Sequence, residues 1–175
     1  MGTGAWVFVA IVVALVVWAF AIYKALLALR NRFMNAFAQV DAQLNHRYEL
    51  IASLVEAVKA DSHHERETLD AMMAARGDAV KAVQRAAAIP GNPAAMQALA
   101  HAEGALARAL LQIRSNEKVR ALEEELASTD SKIAFARQAY NDSVMQYNTK
   151  RESFPDNVFA GVFGFKPAEL LAATG

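Results

Sequence analysis

The sequence predicts an all-α protein in which a single N-terminal transmembrane helix continues into an antiparallel up-down-up-down helical bundle. Residues 5–23 form an unbroken apolar run. Beyond it, apolar residues recur at steps of three and four, the period of amphipathic helices. The hydrophobic fraction of 55% contains much alanine, which favours close-packed helices over strands. The expected organisation is an anchor over 1–24, a four-helix-bundle head over 25–152 and an aromatic, membrane-proximal segment over 153–175.

The apolar run is long enough to cross a membrane, because a hydrocarbon core about 30 Å thick needs roughly 20 apolar residues. Aromatic rings lie near both ends of the run, and such rings favour the headgroup level. The residues taken to mark the spanning segment are Ala5, Trp6, Val13, Trp18 and Tyr23. A cleaved signal peptide is the alternative, since Ala19-Phe20-Ala21 resembles a cleavage site. The uncharged start and the length of the run favour a retained anchor.

A basic collar of Lys24, Arg30 and Arg32 follows the run, whereas no Lys or Arg precedes it. The positive-inside rule therefore predicts an N-terminus outside and a bundle in the cytoplasm. Stop-transfer charges are the ordinary interpretation of such a collar. Contact with anionic lipid headgroups, worth about 1 kcal/mol per cation, is the alternative.

The first two head helices follow directly from the anchor. No Gly or Pro separates the anchor from the head, so the first helix is expected to run unbroken to about Ala60. Its apolar face is flanked by polar positions, which place Arg47 on the solvent-facing side. Ser62 and Glu65 have the capping-box spacing that begins a second helix, which ends at Ile89.

Arg76 falls in the apolar stripe of the second helix. If buried, it needs a partner such as Asp41 or a backbone carbonyl. The alternative is that its side chain reaches solvent.

The third helix begins at a clear signal, with Asn92 as N-cap and Pro93 at the first helical position. Glu103 alone interrupts its apolar series. A break near 114–116 separates it from a fourth helix that ends around Lys150, although one continuous helix is the alternative.

Because four antiparallel helices alternate in direction, the end of the fourth helix returns to the membrane side of the bundle. The segment that follows is aromatic and contains Phe154, Phe159, Phe163 and Phe165. These rings are expected either to lie in the membrane interface or to pack against protein, as a plug of the bundle or as a contact with a neighbouring protomer.

Composition excludes several classes of function. The 18 basic and 18 acidic residues balance, so the chain lacks the basic excess of a nucleic-acid-binding protein. The absence of cysteine excludes disulfides, thiolate zinc sites and cysteine nucleophiles. His63, His64, Glu65 and Glu67 form the one cluster that invites a metal, but His63 and Glu67 alone do not complete a site. No catalytic, cofactor-binding or metal-binding residue is expected, and the protein is expected not to be an enzyme.

Six blocks resemble the LemA family of bacterial membrane proteins. They are Gln39–Leu44 with Arg47-Tyr48, Leu54–Glu56, His64–Leu69 with Ala75-Arg76, Tyr140–Val144 through Tyr147–Thr149, Phe154–Asn157, and Phe163–Lys166. Two departures are Ala52-Ser53, where the family commonly has Pro-Asn, and Gln112–Ser115, which lacks a Tyr-Pro element. The resemblance implies an N-terminal membrane anchor and a helical-bundle head, and it brings no established enzymatic activity and no agreed biochemical role.

The expected function is that of an oligomeric helical scaffold at the membrane surface. Its partners would be membrane lipid and further copies of the chain, without nucleic acid. The alternative is a membrane-surface modulator that remodels lipid through the C-terminal aromatic segment and the basic collar.

Overall fold

The computed structural model describes residues 2–59, 66–112 and 120–173. Within these ranges the chain forms helices and no strands, which confirms the predicted all-α fold with a long apolar N-terminal helix. The helices are α1 (Thr3–Lys59), α2 (Arg66–Ala88), α3 (Pro93–Leu110), α4 (Arg120–Glu152) and α5 (Asp156–Val162). The expected capping box at Ser62 and Glu65 and the expected break near 114–116 lie outside the described residues.

Helix α1 is continuous over 57 residues, a length of about 85 Å at 1.5 Å per residue. The expected unbroken passage from the apolar run into the head is therefore confirmed. The most apolar window of α1 is only 6% buried. It is long and apolar enough to cross a membrane, which is compatible with an anchor and equally with a signal sequence. Burial of α1 begins at Ile22 and Leu26.

Helix α4 packs antiparallel along α1. We call the end of the head next to the apolar run its base. Near the base, Arg32 donates a hydrogen bond from Nη1 to Oε1 of Gln146 at 3.1 Å. Farther from the apolar run, Nη1 of Arg47 lies 3.3 Å from Oδ1 of Asp130. Residue numbers thus rise along α1 as they fall along α4, as the predicted bundle requires.

The turn between α2 and α3 faces the base of the head. Asn92 caps α3 as expected, because its Oδ1 accepts a hydrogen bond from the backbone N–H of Ala95 at 3.1 Å, and Pro93 is the first helical residue. Gly91 has φ of +83°, and a Cβ added there would lie 2.9 Å from Cβ of Ala168. Both the backbone conformation and the close approach therefore require glycine at this position.

A buried ionic cluster joins α1, α3 and α4. Nη1 of Arg47 lies 3.1 Å from Oε2 of Glu103, and the hydroxyl of Tyr48 donates to Oε1 of the same carboxylate at 2.5 Å. The prediction that Arg47 faces solvent is wrong, because its exposure is 7%. Burial is possible for this arginine because Glu103, the one acidic residue in the apolar face of α3, meets it in the core.

Arg76 binds a backbone carbonyl, the second of the two partners expected for it. Its Nε donates to the backbone carbonyl of Tyr48 at 2.6 Å, and the side chain is half-buried. This contact ties α2 to α1 at the level of the ionic cluster.

Candidate membrane-proximal site

Helix α5 and the residues after it pack against the end of the apolar run of α1. The ring of Phe159 meets Trp18 edge-on at a centroid distance of 5.9 Å. Tyr23 makes edge contacts with Phe163 at 5.2 Å and with Phe165 at 5.7 Å. We call these five rings the juxtamembrane aromatic cluster, because they lie at the end of the apolar run that is expected to be the anchor. Edge-to-face pairs at these distances contribute about 0.5–1.5 kcal/mol each beyond their buried area.

The opposite face of α5 carries an exposed apolar stripe. Val158 and Val162 are four residues apart and lie on one side of the helix, with Phe154 preceding them at the same spacing. Their exposures are 57% for Val158, 76% for Val162 and 85% for Phe154. The C-terminal aromatic residues are therefore divided: Phe159 and Phe165 pack against protein, Phe163 does so in part, and Phe154 does not.

The three cations of the basic collar have different surroundings. Lys24 holds its ammonium 5.4 Å from the ring centroid of Phe20. Arg32 is bonded to Gln146 on α4. Arg30 lines a cleft between α1, the α2–α3 turn and the chain that follows α5. The structure therefore does not bring the three cations together as one site.

After α5 the chain turns back along α4 as a C-terminal tail, which is residues 164–173 in the described structure. Tyr147 donates a hydrogen bond from its hydroxyl to the carbonyl of Lys166 at 2.7 Å. The amide of Asn148 makes two bonds to Ala168, donating to its carbonyl at 2.8 Å and accepting from its N–H at 3.1 Å.

The same arrangement repeats two helical turns earlier on α4. Tyr140 donates to the carbonyl of Glu169 at 2.8 Å. Asn141 donates to the carbonyl of Leu171 at 3.0 Å and accepts from its N–H at 2.9 Å. The N–H of Glu169 also donates to the carbonyl of Gly91 at 2.9 Å, which fastens the tail to the α2–α3 turn.

The distance between the two Tyr-Asn pairs along α4 matches the length of three residues of extended chain in the tail. Seven residues of helix advance about 10.5 Å, and three residues of extended chain cover about 9–10.5 Å. Every one of these bonds goes to a backbone atom of the tail. The tail side chains that are buried also follow a three-residue interval, at Phe165, Ala168 and Leu171. The tail is thus held through its backbone conformation and three apolar contacts.

Tyr140 and Tyr147 of this framework, and Tyr48 of the ionic cluster, stay neutral in the folded protein. Burial raises the pKa of Tyr140, and the nearby carboxylate of Glu169 adds to the effect. Burial likewise raises the pKa of Tyr147, partly offset by Arg151 and Arg30. The pKa of Tyr48 is raised by burial and then by Glu103. Each phenol therefore keeps the proton that it donates to its partner.

The remaining residues singled out by sequence are distributed as follows. Ala5, Trp6 and Val13 are exposed along the apolar part of α1. His63, His64 and Glu65 lie outside the described residues, whereas Glu67 is exposed at the start of α2. Among the described residues no group of three or more His, Asp or Glu side chains has the arrangement of a metal site.

The model of one protein family, the LemA family, matches residues 36–175. The chain belongs to the LemA family. None of the curated proteins compared with the chain matches it. The matched range of the LemA family includes both Tyr-Asn pairs and the tail that they hold. The two pairs lie in the blocks that resemble the family, but their role in holding the tail was not predicted. The sequence signal that could have indicated this role is the seven-residue spacing of the two pairs on one helix, followed by a C-terminal segment too short to form another long helix.

Proposed function

We propose that this LemA-family protein is a non-enzymatic, single-pass protein of the bacterial inner membrane that acts as a helical scaffold at the membrane surface. Its N-terminus would lie outside and its bundle in the cytoplasm. The observation that carries the proposal is the packing of α5 against Trp18 and Tyr23. This packing joins the apolar run, the head and a second apolar surface into one unit.

Retention of the apolar run is supported by the contacts that its removal would break. Cleavage after Ala21 would take Trp18 away from Phe159 and would leave Ile22 as the first residue of a helix whose burial starts there. Because α1 passes this point without interruption, the anchor would transmit its orientation directly to the head.

Lipid contact by α5 is supported by its position and its exposed stripe. The stripe of Phe154, Val158 and Val162 lies beside the end of the apolar run, at the level where aromatic side chains meet headgroups. An apolar helix face in this position gains free energy by entering the headgroup–acyl boundary. The proposed scaffold would thus touch the bilayer at two points, the anchor and α5.

Two single-cysteine variants test the lipid contact, since the chain has no cysteine of its own. Val162 and Leu111 are both highly exposed, at 76% and 85%, but Leu111 lies at the C-terminal end of α3, far from the apolar run. Each cysteine is labelled with an environment-sensitive dye in full-length protein reconstituted into vesicles. Spin-labelled lipids should quench the dye at position 162 several-fold more than at position 111. Equal quenching at the two positions would overturn the proposed lipid contact.

Association of copies is supported by the face that α1 and α4 share. Phe135 stands exposed at the rim of a groove of about 530 Å³ whose lining includes Gln39, Gln43, Ser128 and Ala139. Among the described residues that line it, Lys132 alone is charged. Interface cores are enriched in aromatic residues and depleted in charged ones, so this face suits contact with a second copy. Copies tethered in one plane would meet through this face, as an oligomeric scaffold requires.

A further inference from the structure

A second cleft lies just above the juxtamembrane aromatic cluster. It has a volume of about 340 Å³ and is lined by α1, the α2–α3 turn, α4 and the start of the tail. Arg30 contributes from α1 and Lys166 from the tail, and no acidic residue is among the described residues that line it. Two cations from separate parts of the chain therefore share one concave space of the size that small ligands occupy.

Lys166 is held at this cleft by the tail framework. Its carbonyl accepts the hydrogen bond from Tyr147, and Asn148 holds Ala168 two residues further on. Ala168 in turn rests against Gly91, where no Cβ intervenes. The tail contacts thus fix the backbone on both sides of Pro167 and leave the lysine side chain exposed.

The height of the cleft matches the headgroup layer. Arg30 is two helical turns beyond Tyr23, or about 10.5 Å along α1. Helical Cα–Cβ bonds tilt towards the N-terminus, so the side chain of Arg30 leaves the backbone in the direction of the apolar run. The polar layer on each side of a bilayer is about 5–8 Å thick. The Cα of Arg30 therefore stands just beyond this layer, and the long arginine side chain spans the distance to lipid phosphates.

We propose that this cleft binds the phosphate of an anionic phospholipid headgroup, with Arg30 and Lys166 as its two cationic contacts. A guanidinium gives a phosphate two parallel N–H donors, and a lysine ammonium adds a point charge. The chemistry recognised is a phosphate ester whose negative charge is not neutralised by a headgroup cation such as choline. An anionic lipid supplies it in the membrane, and a soluble ester supplies it outside. The inference deepens the proposed membrane-surface function, because it names the lipid class.

The test uses full-length protein in detergent, to which phosphatidylglycerol or phosphatidylcholine is added, with bound lipid counted by native mass spectrometry. Arg30→Gln and Lys166→Gln should each weaken phosphatidylglycerol binding about fivefold. The matched controls are Lys24→Gln and Arg32→Gln, which remove collar cations outside the cleft and should leave binding nearly unchanged. Circular dichroism verifies that all four variants keep their helicity.

Three outcomes decide the proposal. Selective loss in Arg30→Gln and Lys166→Gln supports it. Equal loss in all four variants would reduce the effect to the general charge of the collar and overturn it, as would equal binding of the two lipids. Soluble glycerol 3-phosphate, added as a competitor to the wild type, separates the sources: displacement of lipid identifies the phosphate ester itself as sufficient, and no displacement identifies the lipid as the occupant. A result that overturns phosphate binding in the cleft does not bear on the proposed lipid contact of Val162, because Val162 lies outside the cleft.

Discussion

Replacing Glu103 by alanine should lower the free energy of unfolding by about 3–5 kcal/mol, because a buried charge loses its partner. Among the described residues, Arg47 would keep one ion pair, that with Asp130, a carboxylate at the surface. The hydroxyl of Tyr48 would lose its acceptor in the core. Nε of Arg47 is already buried with no hydrogen-bond partner among the described residues. The measurement is urea unfolding of the detergent-solubilised protein, followed by circular dichroism.

The matched control is Asp78→Ala, which removes an acid from an exposed ion pair with Lys81 at 3.5 Å. Such surface pairs contribute little, so its unfolding curve should overlay that of the wild type. A loss below about 1 kcal/mol for Glu103→Ala would show that the ionic cluster does not bear on the stability of the bundle. Replacing Arg47, Tyr48 and Glu103 together by Met, Phe and Leu should restore most of the loss, since the three polar side chains then leave the core together. Asp130 loses Arg47, but its half-exposed carboxylate is accessible to water.

Replacing Asn141 and Asn148 together by alanine should release the tail while the bundle stays folded. The pair of substitutions removes four hydrogen bonds to the tail backbone. At about 0.5–1.5 kcal/mol each, their loss should reduce protection of the tail amides roughly 30-fold or more. Hydrogen exchange with mass spectrometry on peptides that cover residues 165–173 measures this protection directly.

Asn45→Ala is the control for this experiment, because the amide of Asn45 bonds to Asp41 on its own helix. Its tail peptides should exchange as in the wild type. Retained protection of the tail in the Asn141 and Asn148 double variant would mean that the bonds from Tyr140 and Tyr147 and the burial of apolar tail side chains are enough to hold the tail. The two asparagines would then have no role in positioning Lys166.

The sequence predicted the helices well where the signal was local. Asn92 and Pro93 marked the start of α3, and the lack of Gly or Pro between the apolar run and the head predicted the continuous α1. Tyr48, Tyr140 and Tyr147 follow the apolar spacing of three and four residues along α1 and α4, and all three are buried. These features depend on neighbours within one or two helical turns, which a single sequence displays.

Features that depend on distant residues were not predictable in the same way. Arg47 follows a polar pattern along α1, and only the meeting with Glu103 on α3 allows its burial. Helix α5 is too short to show periodicity. The tail has no regular hydrogen bonds of its own, so its conformation is set by side chains of α4. The clefts and the juxtamembrane cluster arise only once these distant segments have been brought together.

The proposed function requires that the apolar run is retained as an anchor in the mature protein. The direct measurement is the intact mass of the protein extracted from the membrane fraction of cells that produce it. We expect a species of about 19.0 kDa that retains residues 1–21 and sediments with the membranes. A shorter species beginning at Ile22 and recovered in the soluble fraction would contradict it, because α5 would then have no anchor beside it.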